Sequence, residues 1–101
     1  MWAFPSVGVL VFEKNGLKRG PALTNATFSL SPSGWPNSIE KVVGPSPLAG
    51  GPNPLYQVTL RVWAQPDGRY DPLFLVVAAP GHYPASYPFH EADFEARLDR
   101  R

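Results

Sequence analysis

Between Tyr56 and Ala64 apolar and polar positions alternate. Tyr56, Val58, Leu60, Val62 and Ala64 fall on one face, and Gln57, Thr59, Arg61 and Trp63 on the other. A period of two marks a strand with one buried and one wetter face, and β-branched and aromatic side chains suit its pleated surface. Leu73–Ala79 is nearly continuously apolar, as in a strand covered on both faces, and is too short and too tightly bounded by proline for a buried helix. Between these runs, Gln65-Pro66-Asp67-Gly68 is a turn signal: Pro presets φ, Asp bonds its own backbone and Gly accepts positive φ. Leu55–Tyr83 is therefore predicted to be a hairpin around which the rest is arranged.

Val7–Phe12 predicts a strand with Val7, Val9 and Val11 on one face and Leu10 and Phe12 on the other. Asn15-Gly16 after it is a strong hairpin signal, and Lys18-Arg19-Gly20-Pro21 predicts a second polar break. Ala26–Leu30 alternates again, with Ala26, Phe28 and Leu30 inward, and Asn25-Ala26-Thr27 matches the N-glycosylation pattern. Residues 31–54 carry six prolines (Pro32, Pro36, Pro45, Pro47, Pro52 and Pro54) and predict a long loop in which only Ile39–Val43 pairs, as a short edge strand. A loop of this length is usually functional or disordered. Two readings stand for it: a partner surface, or packing of Trp35, Ile39 and Leu48 on the sandwich. Residues 90–101 read as a strand, with Phe94, Ala96 and Leu98 alternating against Asp93, Glu95 and Arg97. The alternative is a helix in which Phe94 and Leu98 form an apolar i,i+4 pair and Asp93 and Arg97 an ion pair. The sum is an all-β, antiparallel sandwich of about seven strands.

The chain has 101 residues and is expected to be a single domain over 1–101, with 31–54 as a loop insertion. It has no cysteine, so neither a disulfide frame nor a thiolate metal site is possible. A formal net charge of +1, with signs mixed along the chain, makes no electrostatic case for nucleic acid or an anionic membrane. Thirteen prolines and nine glycines suit a turn-rich β domain. Met1–Pro5 has no basic n-region, so no export signal is expected, and Val7–Phe12 is too short for a membrane span.

Gly8-Val9-Leu10-Val11, Gly20-Pro21-Ala22 and Ala26-Thr27-Phe28-Ser29-Leu30 together resemble the opening of a carboxypeptidase regulatory-like domain. Asp67-Gly68-Arg69-Tyr70 resembles that family's D-G-x-Y turn, and Val76–His82 its V-x-A-P-G-Y strand end. The resemblance covers residues 7–30 and 55–83. The 24-residue insertion departs from it, as does His82, where an aromatic is common. It implies a prealbumin-like, immunoglobulin-like sandwich of a kind that mostly serves as a structural, adhesive or docking module.

Candidate chemistry is sparse. Pro80-Gly81-His82-Tyr83-Pro84 is similar to a segment of the intradiol dioxygenases, which implies a Tyr₂His₂ iron site drawn from His82, Tyr83, Tyr87 and His90. That family's second histidine segment has no match, and ligands crowded on one proline-stiffened segment would not easily surround an ion. The bland reading is a rigid crossover with Tyr83, Tyr87 and Phe89 packed on the sandwich rim. No G-x-S-x-G elbow is present. Asp67/Asp71 and Glu91/Asp93/Glu95 read as solvated charges. No cofactor is expected.

Tryptophan carries more information. Trp63 lies beside Arg61 on the wetter face of its strand, Trp35 in the long loop and Trp2 at the start. Such residues serve interfaces and sugar platforms. The expected function is non-enzymatic: a structural or accessory module docking onto, or building, a larger assembly such as a virion decoration or cell-surface filament. Trp2, Phe4, Trp35, Ile39, Val42, Leu48 and Trp63 are the expected contacts with a protein partner or a second copy. A carbohydrate-binding module is the alternative and a small metalloprotein the third.

Overall fold

The computed structural model describes residues 1–47 and 54–101. Among them are nine strands and no helix: β1 (Trp2–Ala3), β2 (Ser6–Asn15), β3 (Lys18–Ala22), β4 (Thr27–Ser31), β5 (Ser38–Pro47), β6 (Pro54–Trp63), β7 (Phe74–Ala78), β8 (Ala85–Pro88) and β9 (Phe94–Leu98). They form two sheets. In the six-stranded sheet, β6 pairs with β1, β2 and β5, while β2 also pairs with β3 and β9. The three-stranded sheet runs β4-β7-β8.

The hairpin expected over 55–83 does not form. β6 and β7 belong to different sheets, and β6 takes β5 as its hairpin partner, from Ser38↔Arg61 to Pro47↔Pro54. Alternation reports which face of a strand is buried, not which edge is paired. Both strands do bury one face: Val58, Leu60 and Val62 from β6, and Leu75 and Val77 from β7. β7 is not covered on both faces, since Phe74 is exposed and Val76 and Ala78 are half-buried. The turn itself forms as expected. Gly68 N–H donates to the Gln65 carbonyl, Arg69 N–H to Asp67 Oδ1, and Gly68 sits at φ +87°.

Most of the described part of the expected long loop is β5, a ten-residue strand pairing only with β6. Its prolines mislead because they are read as breakers. An edge strand with bulges tolerates them, and the register shifts between Val43 and Ser46, where Gly44 lies at φ +119°. A Cβ on Gly44 would stand 2.5 Å from the Leu55 carbonyl oxygen, so the bend requires glycine. Lys18–Pro21 is likewise strand (β3) rather than a break. The two-residue turn before it is Gly16-Leu17, with only Gly16 at positive φ. That is the Gly-first pattern of a type II′ hairpin.

Residues 90–101 resolve in favour of a strand, but a parallel one. β9 lies against β2 in the register Val9↔Phe94 to Glu13↔Leu98. One residue ahead of that ladder, Gly8 N–H donates to Asp93 Oδ1 at 2.7 Å. The core fills the space between the sheets with Val7, Val9, Val11, Tyr56, Val58, Leu60, Val62, Ala96 and Leu98 from one side and Leu30, Leu75 and Val77 from the other. Tyr56 is the one core residue with a hydroxyl. It donates to the Leu23 carbonyl at 2.8 Å and accepts from Ala26 N–H at 3.1 Å, fastening the β3–β4 connection to β6. Burial raises its pKa.

Candidate functional site

β1 brings Trp2 onto the edge of β6, in register with Trp63. Met1 completes the pairing: its ammonium group donates to the Ala64 carbonyl, and Ala64 N–H donates to the Met1 carbonyl. The two indoles meet edge to face, 5.1 Å between centroids with their planes at 86°. Trp35, on the β4–β5 connection, packs against Trp2 in the same manner at 6.4 Å and 89°. Arg61, two residues before Trp63 and therefore on its face, lays its guanidinium over the Trp2 ring at 3.9 Å. Trp35, Trp63 and Arg61 thus all gather around Trp2.

The cluster is not core. Trp35 is 86% exposed and Trp63 51%, with Phe4 at 54% beside them in the chain. Next along this outer face come polar side chains: Ser6 Oγ accepts from Gln57 Nε2 at 2.8 Å and from Thr59 Oγ1 at 3.3 Å. The outer face of β6 is therefore aromatic at its Trp63 end and polar at Gln57 and Thr59.

A groove of about 500 Å³ opens beside Trp35, between β4 and the β4–β5 connection. Its walls are Phe28, Leu30, Trp35, Pro36 and Ile39, and its polar groups come from Ser29, Ser33, Asn37, Ser38 and Arg61. Among the described residues Arg61 has no carboxylate partner.

Of the expected contact residues, Trp2, Trp35 and Trp63 come together, and Phe4, two positions after Trp2, is exposed. Ile39 is half-buried: it packs against the core and forms part of the groove wall beside Trp35. Val42 is exposed on β5, and Leu48 lies outside the described residues. Arg61 was legible only as the same-face neighbour of Trp63. Its place between cluster and groove depends on β1 and the β4–β5 connection, which carry no sequence signal for it.

Of the four residues implied by the dioxygenase resemblance, three are separately engaged and the fourth is exposed. His82 Nδ1 faces the Pro80 carbonyl and Nε2 faces Glu13 Oε1, each at 2.9 Å. The Tyr83 ring lies beneath the Arg101 guanidinium. The Tyr87 hydroxyl accepts from Arg97 N–H, so this tyrosine ties β8 to β9. His90 is exposed. No group of three or more His, Asp or Glu that could hold a metal occurs among the described residues.

Glu13 also accepts from Arg100 Nε at 3.0 Å, and His82 forms a bridge with Arg100. The hydrogen bond from His82, with the Arg100 contacts added, holds the Glu13 carboxyl below its usual range. The same hydrogen bond, and that to Pro80, raises His82. Both ring nitrogens face oxygen acceptors, and only the imidazolium donates from both.

No protein-family model, curated protein or solved structure matches the chain.

Proposed function

We propose that the protein is a non-enzymatic docking module whose contact surface is the Trp2–Trp35–Trp63 cluster with Phe4. One observation carries this reading: three tryptophans from distant parts of the chain converge on one end of a sheet, and two of them, Trp35 and Trp63, stay exposed there against a half-buried Trp2. Burying exposed indole contributes about 25 cal/mol per Å², and preassembled edge-to-face rings leave little side-chain freedom to lose on binding. Edge strand β5, paired on one side only, adds unpaired backbone groups that a neighbouring strand can satisfy. The partner is a second copy or another protein of a larger assembly, of the virion-decoration or cell-surface kind. The two-sheet arrangement and the Asp67–Tyr70 turn support reading the fold as immunoglobulin-like or prealbumin-like, in keeping with the carboxypeptidase regulatory-like resemblance. Light scattering across a concentration series tests self-docking. The expected result is a mass that grows with concentration in the native chain and stays monomeric in Trp35→Ala/Trp63→Ala, with circular dichroism unchanged. Equal masses in both would sink the assignment of this face.

A second reading, carbohydrate binding, is favoured by the groove beside Trp35. It combines an exposed indole with hydroxyl, amide and guanidinium groups, the mixture that sugars require.

A further inference from the structure

The groove beside Trp35 differs from the apolar cluster next to it. Three serine hydroxyls, one carboxamide and one guanidinium line it, with no carboxylate among its lining residues. The guanidinium is held from behind: Arg61 Cζ lies over the Trp2 ring, 3.9 Å from its centroid. A stacked guanidinium keeps its in-plane N–H groups free for a planar anion. None of those N–H groups is hydrogen-bonded to a described residue, and no described carboxylate lies within ion-pair distance of Arg61. The Arg61 charge therefore lacks a countercharge inside a groove that also offers a flat exposed ring.

We infer that this groove binds an acidic saccharide, a pyranose ring stacked on the Trp35 indole with its carboxylate or sulfate held by Arg61. The inference deepens the carbohydrate reading and rests on it. Ser29, Ser33, Asn37 and Ser38 supply donors and acceptors for ring hydroxyls. A cationic ligand is disfavoured because Arg61 already covers Trp2. A nucleic acid strand also stacks on indoles, but its affinity comes from neutralising successive phosphates with several cations. This groove has one, on a chain of net charge +1.

The test is titration of the intact chain, followed by tryptophan fluorescence and calorimetry. The probes are oligogalacturonides, a sulfated dextran oligosaccharide, neutral cello-oligosaccharides of equal length and a single-stranded oligonucleotide. The expected result is saturable binding of one or both acidic sugars, at least about tenfold tighter than the neutral one and weakened by salt. Which acidic probe binds tells carboxylate from sulfate. Arg61→Met keeps an apolar stem on Trp2 and should bring acidic and neutral sugars to the same weak level. Asn37→Ala, which leaves the tryptophan cluster intact, should weaken acidic-sugar binding. Neutral sugars binding as tightly as acidic ones, with Arg61→Met unchanged, overturns the inference and leaves carbohydrate binding standing. No saccharide binding at all overturns both, and so does an oligonucleotide binding more tightly than any sugar. Light scattering with Phe4→Ala/Trp63→Ala, outside the groove lining, reports separately on docking.

Discussion

Trp2 and Trp63 stand opposite one another across the β1–β6 pair, their indoles perpendicular and 5.1 Å apart. The first strand of the protein thereby shapes its outer face. Removing either ring should loosen the other. An aromatic pair of this geometry contributes about 0.5–1.5 kcal/mol beyond area burial. A double-mutant cycle on Trp2→Ala and Trp63→Ala, read by thermal unfolding, should give a coupling energy of that size. Purely additive costs would show that the rings do not support each other.

Tyr56→Phe leaves Ala26 N–H and the Leu23 carbonyl without the hydroxyl that joins them. The cost should be about 1–3 kcal/mol. Amide exchange should rise at Ala26 first. Unchanged protection there would mean that the β3–β4 connection is held by packing alone.

The Glu13–His82 pair gives stability a defined pH window. His82 has a raised folded pKa, so its contribution is complete below about pH 6.5. It is lost as pH rises through the raised value, because the native state then binds more protons than the unfolded one. Glu13 has a lowered pKa. Its contribution is complete above the usual carboxyl value and is lost as pH falls through the lowered one. Arg100 shares the Glu13 carboxylate, and the Pro80 carbonyl faces the other ring nitrogen. The melting temperature should therefore decline as pH rises above about 6.5. Glu13→Gln should flatten that decline and lower the His82 pKa measured by NMR. A slope unchanged in Glu13→Gln would remove this pair as its source.

Two glycines at positive φ should respond differently to alanine. Gly16 (φ +61°) has open space where a Cβ would go, so Gly16→Ala should cost only the backbone penalty, roughly 1–2 kcal/mol. At Gly44 a Cβ would also collide with the Leu55 carbonyl. Gly44→Ala should therefore cost more and disturb β5–β6 pairing, seen as lost amide protection at Leu55 and Tyr56. Equal unfolding free energies for the two variants would contradict the close approach.

The local pattern of the chain determined which side of the alternating strands is buried. The inward sets Tyr56/Val58/Leu60/Val62 and Ala96/Leu98 are read from alternation, because side chains point to opposite faces at every step, whereas in β2 both faces are apolar and Phe12 is buried as well as Val7, Val9 and Val11. The Gln65–Gly68 turn was legible too, since its geometry is made by its own residues. Pairing was not. Backbone N–H and C=O groups are the same at every residue, so nothing in β6 names β5 rather than β7 as its hairpin partner. Nothing in β9 specifies a parallel place beside β2. Loop closure, bulges at Gly44 and the competition for one shared core decided those. The candidate site depends on the same decisions. Trp2, Trp35 and Trp63 were each visible as tryptophans outside the core pattern. Their meeting at Trp2, beneath Arg61, required the two-residue strand β1 to pair with β6 and the β4–β5 connection to pack against it. These are contacts between residues up to 61 positions apart in sequence, and no local period encodes them.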